Sequence, residues 1–318
     1  MKHIITSIGL QINEAKDEFG QSVCWLGVLL SSTANGGRST SAALTDKRRL
    51  YVAECCLKMQ MWNGPIRVHK LMAFAGLLIF CSQVLPGSKM YVRSAYTLIG
   101  SHDKHDIVHL SKQFKMDCAW WRKLMLQRGY CGMLLDRYVI STSFLAWDAS
   151  DWGMGGFYAQ NYAHQHFCIP WAAYERGDRI CDLAPVRGTP TWHINYKELY
   201  AGFTTVRYWG SSMRGYTVVC YTDSSSVHSW LSNMWGTEVV IPLLKRLHLM
   251  LIRYDIQLQS HLIKSKQNAI SDALSRGLME EYEKALDEWK ARGCTLDTYA
   301  TPPAESVDMV PSAPPPDE

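Results

Sequence analysis

The sequence predicts an α/β protein in which a mixed five-stranded sheet with flanking helices follows a mostly helical region. Between residues 138 and 276, the segments read in the order three strands, helix, strand, helices, strand, helix. Three leading strands that then alternate with helices favour a mixed sheet with helices packed on it. The length of 318 residues suggests about two domains, and an apolar fraction of 47% is ample for their cores.

Upstream of residue 139, helical periodicity dominates. The apolar, β-compatible run at residues 23–30 predicts a strand, which leads into a loop at residues 33–38. Apolar residues at helical spacing predict helices over residues 46–60, 68–84, 90–99 and 109–128. The first two helices end where Gly and Pro follow, at residues 63–65 and 86–87.

The second half of the chain alternates between strand and helix patterns. Strands are predicted at residues 138–147, 153–159, 166–171, 216–221 and 256–262. Helices are predicted at residues 195–209, 225–234, 239–253 and from residue 269. A charged helix at residues 280–292 then gives way to a tail rich in Pro and acid. That tail is too poor in apolar residues to fold, so we expect it to be disordered.

Composition narrows the class of protein. The net charge of +4 tolerates a polyanionic partner without requiring one. The ten cysteines form no CxxC pair, and no secretory signal follows Met1, so we expect reduced thiols in an intracellular protein, cytoplasmic or nuclear. The longest apolar run, residues 71–80, is about half of a bilayer span, so we expect no membrane association.

Four acidic residues lie where a carboxylate can project into a cleft. Asp148 and Asp223 end predicted neighbouring strands, and Glu198 and Asp272 lie in the first turns of predicted helices. Clustered carboxylates repel one another, and Mg²⁺ relieves that repulsion through the oxygen ligands it prefers. Two such ions about 4 Å apart activate a water and stabilise the leaving oxygen in phosphodiester hydrolysis. The four acids therefore indicate a two-metal nuclease site.

Each acid has a plainer interpretation when it is taken alone. An Asp at a strand end or a helix start is more often a cap or turn residue than a ligand, and Asp272 could simply favour its helix N-terminus. Asp151, close to Asp148, is an alternative ligand. The sequence around the acids decides between these interpretations.

Four motifs resemble, in this order, the ribonuclease H domain of retrotransposon reverse transcriptases. They are WDAS with GMG within residues 147–155, YKELYA at 196–201, YTDS at 221–224 and NAISDALSR at 268–276. The resemblance covers about residues 140–278 and implies a ribonuclease H-like fold. It makes Asp148, Glu198, Asp223 and Asp272 both catalytic residues and the ligands of two Mg²⁺ ions, for which Mn²⁺ can substitute. It implies an RNA–DNA hybrid as partner and substrate.

Six further residues in or beside these motifs are candidates for contacting nucleic acid: Ser150, Ser224, Lys264, Lys266, Asn268 and Arg276. Ser224 also suits helix capping, and Asn268 could orient its loop. Many ribonucleases H carry a histidine in the loop before the last acid to help product leave. Two lysines stand in that loop here, so we interpret the earlier His261 as structural.

The upstream region resembles the part of the same polyprotein just before its ribonuclease H. GLQIN at residues 9–13 and WLG at 25–27 look like a palm end, and residues 71–96 look like the thumb and connection. The resemblance is to gypsy-like or DIRS-like retrotransposons, and this region is most similar to the DIRS-like elements. No Tyr-x-Asp-Asp pair precedes the palm remnant, so we do not expect DNA synthesis from this chain alone. The expected domains are residues 1–138 (palm end with thumb and connection), 139–278 (ribonuclease H-like) and 279–318 (charged helix and tail).

The leading hypothesis is a Mg²⁺-dependent endonuclease that hydrolyses the RNA strand of RNA–DNA hybrids, with the rest of a reverse transcriptase polyprotein as a possible partner. The alternative is a catalytically silent ribonuclease H-like subunit that binds nucleic acid or braces a polymerase. A third interpretation keeps the fold but makes the substrate DNA, as in integrases and resolvases.

Overall fold

The computed structural model describes residues 20–33, 39–100, 102–127, 132–134, 139–160, 163–175, 182–295 and 298–299. The chain divides into two compact units, Met1–Arg137 and Tyr138–Glu318. The palm-like motif at residues 9–13 and the tail from residue 301 lie outside the described residues. Within the described residues, the helices are all too short or too polar to cross a membrane.

Helices predominate in the described part of the first unit. They are α1 (Asp46–Met61), α2 (Val68–Ser82), α3 (Arg93–Ile99) and α4 (Lys112–Leu126). The strands are β1 (Ser22–Trp25), β2 (Val28–Thr33), β3 (Ser39–Leu44), β4 (Pro65–Arg67), β5 (Ile107–His109) and β6 (Gly132–Leu134). Strands β1, β2, β3 and β6 form one antiparallel sheet, and β4 pairs with β5.

Two of the differences from the sequence prediction in this unit have a local physical reason. The apolar run at residues 23–30 is a hairpin instead of one strand, because Leu26 and Gly27 adopt positive φ angles of 52° and 85° and reverse the chain. The helix predicted from residue 109 begins at Lys112, because the Ser111 hydroxyl accepts the Phe114 N–H as an N-cap. The residues before that cap pair as β5.

The second unit contains the predicted five-stranded mixed sheet. Its strands are β7 (Val139–Ala149), β8 (Gly153–Gln160), β9 (Ala163–Pro170), β10 (Thr217–Thr222) and β11 (Gln257–Leu262). They lie in the order β11-β10-β7-β8-β9. Strands β7, β8 and β9 form an antiparallel meander, whereas β10 runs parallel to both β7 and β11. The predicted fold class is confirmed.

Six α-helices of the second unit are described: α5 (Trp171–Glu175), α6 (Ile194–Trp209), α7 (Ser225–Asn233), α8 (Ile241–Tyr254), α9 (Ala269–Arg276) and α10 (Met279–Ala291). Helix α6 approaches the sheet closely, since a Cβ atom at Gly202 would lie 2.6 Å from the Trp147 ring. Helix α9 approaches β8, where a Cβ at Gly155 would lie 2.6 Å from the Ser275 nitrogen. These two contacts place the helices that carry candidate site residues.

The core of the sheet includes residues beyond the expected ribonuclease H-like segment. Tyr282, Leu286 and Trp289 of α10 are buried in one cluster with Phe144 and other apolar residues of the sheet. The charged face of α10 points outward, and its apolar face packs into the core. Burial of aromatic side chains of this size contributes strongly to stability. Helix α10 is therefore a structural part of the second unit.

Candidate metal centre

Two candidate acids meet at one edge of the sheet because their strands are parallel neighbours. Asp148 is the penultimate residue of β7, and Asp223 directly follows β10. Tyr221 of β10 pairs with Ala146 of β7, so the two strands end near the same level of the sheet. The carboxyl ends of parallel strands meet at a common edge, as the sequence pattern predicted.

The third acid, Glu198, reaches this edge from α6. We expected it in the first turn of its helix, but α6 begins at Ile194 with His193 as N-cap, so Glu198 lies one turn further in. Its Oε2 atom is buried and has no hydrogen-bond partner among the described residues. A buried carboxylate oxygen without a partner is costly, and a bound cation would offset that cost.

The carboxyl groups of Asp148, Glu198 and Asp223 converge. One oxygen of each lies within 4.8 Å of the others. Burial raises the pKa of Asp148 to about 8, with the charges of nearby acids adding to it. Burial and the charge of Asp223 raise the pKa of Glu198 to about 7. Ionising both Asp148 and Glu198 is therefore unfavourable until a positive charge joins them.

The donor set fits a hard divalent cation. Its atoms are carboxylate oxygens, the ligand type that Mg²⁺ prefers, and they come from three separate elements around one point. The partnerless Oε2 of Glu198 supplies an oxygen that no protein group satisfies in the described part of the chain. The residues present therefore match the predicted cofactor in charge and in chemistry.

Asp272 is not part of this group of three. It lies on α9, where its carboxylate forms an ion pair with Arg276 at 2.8 Å. Both side chains are partly exposed, at 39% and 56% respectively. Asp272 nevertheless contributes to raising the pKa of Asp148, so it lies close enough to affect the centre electrostatically. Its role as a fourth ligand stays a prediction.

Ser275 is a site residue that the sequence reasoning missed. Its hydroxyl lies 2.6 Å from Asp148 Oδ2 and donates a hydrogen bond to it. That bond lowers the pKa of Asp148 against the stronger effect of burial. Its position in the sequence could have indicated this role, because Ser275 lies within the NAISDALSR motif, one helical turn after Asp272.

Three of the predicted nucleic-acid contacts make internal hydrogen bonds. The Ser150 hydroxyl donates to the Ser275 carbonyl at 2.6 Å and also accepts backbone N–H groups in its own turn. Ser224 is the N-cap of α7, and its hydroxyl also bonds to Glu198. Asn268 is fully buried, and its amide donates to the Trp147 carbonyl and to Asp223.

The remaining predicted contacts are exposed. Lys264 and Lys266 lie in the turn between β11 and α9 with exposed side chains, and Arg276 pairs with Asp272. His261, interpreted as structural, is exposed on β11 with its ring 6.0 Å from that of Tyr221. Cationic side chains of this kind suit a phosphate backbone.

Asp151, the alternative ligand, interacts with a lysine that sequence reasoning did not single out. Its carboxylate lies 2.8 Å from the Lys197 ammonium, and the ion pair lowers the pKa of Asp151. Lys197 is buried, and its ammonium also donates to the Ser150 carbonyl and lies 4.7 Å from the centre of the Trp192 ring. Asp151 lies outside the group of three converging acids.

Comparison with known proteins gives structural likeness only. No family model matches the chain. No curated protein matches it either. Among solved structures it resembles a foamy viral protease–reverse transcriptase in complex with double-stranded DNA, at 14% identity and a TM-score of 0.32, over 81% of this chain and 41% of that one. Another structure of a foamy viral protease–reverse transcriptase with double-stranded DNA is 14% identical, with a TM-score of 0.30, over 76% of this chain and 45% of that one.

Ribonuclease H1 from the halophilic archaeon Halobacterium salinarum gives 15% identity and a TM-score of 0.31, over 44% of this chain and 98% of that one. The chain spans less than half of the length of the two foamy viral chains. The roles of individual residues rest on the geometry of this structure.

Proposed function

We propose that this protein is a ribonuclease H-type endonuclease that hydrolyses the RNA strand of RNA–DNA hybrids with two Mg²⁺ ions. The observation that carries the proposal is the convergence of Asp148, Glu198 and Asp223 at one edge of the sheet. The raised pKa values of Asp148 and Glu198 are those of a site built to receive positive charge. We further propose that the chain derives from a retroelement reverse transcriptase polyprotein, on the motifs at residues 147–276.

Asp148, Glu198 and Asp223 would hold the cations, with Asp272 as the proposed fourth ligand. When bound, such ions activate a water and stabilise the leaving oxygen of a phosphodiester. The protein side chains orient the ligands: Ser275 restrains the Asp148 carboxylate, and Asn268 restrains that of Asp223. The exposed Lys264 and Lys266 are proposed to contact the phosphate backbone of the hybrid.

The test is cleavage of an end-labelled RNA–DNA hybrid by the full chain with and without Mg²⁺. We expect cleavage of the RNA strand only, and only with the metal. Asp148→Asn and Asp223→Asn should each lower the rate by more than about 100-fold, because losing a ligand costs more than losing an outer-shell partner.

Asp287→Asn is the matched control, since it makes the same chemical change at an exposed site on α10. We expect it to cleave as the wild-type protein does. Cleavage that survives both site substitutions would contradict the proposal.

One observation favours a second candidate, the catalytically silent nucleic-acid-binding subunit. Asp272 pairs with Arg276 and lies outside the three converging acids. This candidate predicts hybrid binding that weakens steeply with added salt, without Mg²⁺-dependent hydrolysis. The same cleavage assay, combined with a filter-binding assay across a salt series, distinguishes the two.

A further inference from the structure

We propose that Tyr299 is a positioning residue of the metal centre, acting through Asn268 to hold the Asp223 carboxylate and the backbone beside Asp148. The inference rests on the proposed function in that the three acids bind metal. It concerns a residue after α10, outside the segment that resembles ribonuclease H. The hydrogen bonds behind the acids carry the inference.

Asn268 joins both strands that present the acids. Its Nδ2 donates to the Trp147 carbonyl at 3.2 Å and to Asp223 Oδ1 at 3.3 Å. Its Oδ1 accepts from the Tyr299 hydroxyl at 3.2 Å, and that hydroxyl lies 3.2 Å from the hydroxyl of Ser271. A single amide thus connects β7, the residue after β10 and Tyr299.

The donors and acceptors of these groups allow only one arrangement of the hydrogen bonds between them. The Trp147 carbonyl and the Asp223 carboxylate only accept, so they require both protons of the Asn268 amide nitrogen. The amide oxygen must then face Tyr299, which uses its single proton to donate to it. Ser271 completes the order by donating to the Tyr299 oxygen. Every group in this hydrogen-bonded series therefore has a partner, and the direction of donation is fixed from Ser271 through Tyr299 and Asn268 to Asp223.

Burial makes this hydrogen-bonded series sensitive to the loss of any one of its side chains. Asn268 and Ser271 are 0% exposed and Tyr299 is 2% exposed, so bulk water does not reach the groups between them. Without the Tyr299 hydroxyl, the Asn268 oxygen loses its donor. The amide can then rotate, and rotation would place its oxygen against the Asp223 carboxylate. The Tyr299 hydroxyl therefore selects the amide orientation that supports the acid.

The ring of Tyr299 is held independently of its hydroxyl. It lies 4.7 Å from the ring of Phe144 and stacks on Tyr221 at 5.4 Å with an interplanar angle of 19°. Burial raises the pKa of Tyr299, and the charges of Asp148 and Asp223 raise it further, so the phenol stays protonated as a donor. A Phe in its place would keep the ring contacts and lose only the hydrogen bonds.

The experiment measures Mn²⁺ binding by electron paramagnetic resonance on the full chain without nucleic acid. We expect Tyr299→Phe to raise the Kd for Mn²⁺ by about ten-fold, the lower end of the effect of outer-shell partners. The matched control is Tyr282→Phe, a buried tyrosine of the same core cluster whose hydroxyl bonds to His166 at 2.8 Å. The control should bind Mn²⁺ as the wild-type protein does.

A double-mutant cycle with Asn268→Ala tests the route of the effect. If Tyr299 acts through Asn268, Tyr299→Phe causes little further loss of Mn²⁺ affinity in the Asn268→Ala background. A full ten-fold loss in that background overturns the assigned route. Should Tyr299→Phe lose cooperative unfolding, Asn268→Ala alone tests the proposal, since it removes the amide that joins Tyr299 to Asp223, and a Mn²⁺ affinity equal to that of the wild-type protein overturns it.

Equal Mn²⁺ affinities for Tyr299→Phe and Tyr282→Phe in folded protein overturn the proposal, as does a wild-type protein that binds no Mn²⁺. Failure of the proposed function looks different. In that case the hybrid is not cleaved, while Mn²⁺ binding still depends on Tyr299.

Discussion

At the scale of single residues, the environment of Asp148 determines what the centre can bind. Its carboxyl group is buried, accepts one short hydrogen bond from Ser275 and lies near Glu198 and Asp223. Burial is the largest cause of its raised pKa, and the hydrogen bond only partly opposes it. In this position the carboxyl group is favourable only when a proton or a metal ion neutralises its charge.

This environment predicts how stability without metal depends on pH. The folded-state pKa values of about 8 for Asp148 and about 7 for Glu198 exceed their ordinary values of 3.8 and 4.5. Between the ordinary and the raised values, the folded protein holds protons that the unfolded chain has released. The contribution of these two groups to the free energy of unfolding is therefore fully present below about pH 4 and is lost as the pH rises to about 8.

The measurement is urea denaturation in EDTA at pH 5 and pH 8, for the wild-type protein and for Asp148→Asn. The amide has nearly the shape of the acid and does not titrate, so the variant should lose less stability between the two pH values. Comparing the two proteins removes the contribution of the histidines, which both contain. An equal change in the free energy of unfolding would contradict the assigned environment of Asp148.

At the scale of elements, the distance between α9 and the sheet depends on glycine. Gly155 lies on β8, and the absence of a side chain there lets α9 approach the strand. A Cβ there would meet the Leu274 side chain and lie 2.6 Å from the Ser275 nitrogen. Helix α9 carries Ser275 and Asp272, so this contact positions one side of the metal centre.

Gly155→Ala should therefore displace α9. We expect a loss of about 1–3 kcal/mol in the free energy of unfolding, as in other overpacked cores, together with weaker Mn²⁺ binding. Urea denaturation and metal titration measure the two effects. The control is Gly76→Ala inside α2, where nothing lies within 4 Å of the added carbon. That variant should gain up to about 1 kcal/mol from helix propensity.

At the scale of the whole molecule, the two units have separate cores. The first is built on buried residues such as Leu71 and Trp121, and the second on the cluster around Phe144 and Trp289. The three converging acids all belong to the second unit. A ligand that binds only the folded form of one unit stabilises that unit by mass action.

We therefore expect calorimetry to show that Mg²⁺ raises the melting temperature of one transition only. At a hundred times Kd the gain is about 2.7 kcal/mol, or roughly 5–10 °C for a unit of this size. Leu71→Ala, at a fully buried position of α2, should lower the other transition and leave the Mg²⁺ effect intact. A Mg²⁺ shift that vanishes in Leu71→Ala would contradict the separation of the cores.

The sequence by itself determined the local features. Residue periodicity places the five strands of the second unit, and the ends of β7 and β10 carry Asp148 and Asp223 as predicted. Such features are readable because strand and helix periods and turn residues act over a few neighbouring positions. The motif around Glu198 likewise identified an acid that joins the other two.

Only the tertiary structure decided which groups surround those acids. Asn268 meets Trp147 and Ser275 meets Asp148 across more than a hundred residues, and Tyr299 reaches Asn268 from beyond α10. The structure also leaves Asp272 paired with Arg276. Contacts between distant parts of the chain follow from how helices pack on the sheet, and no period or spacing along the sequence encodes them.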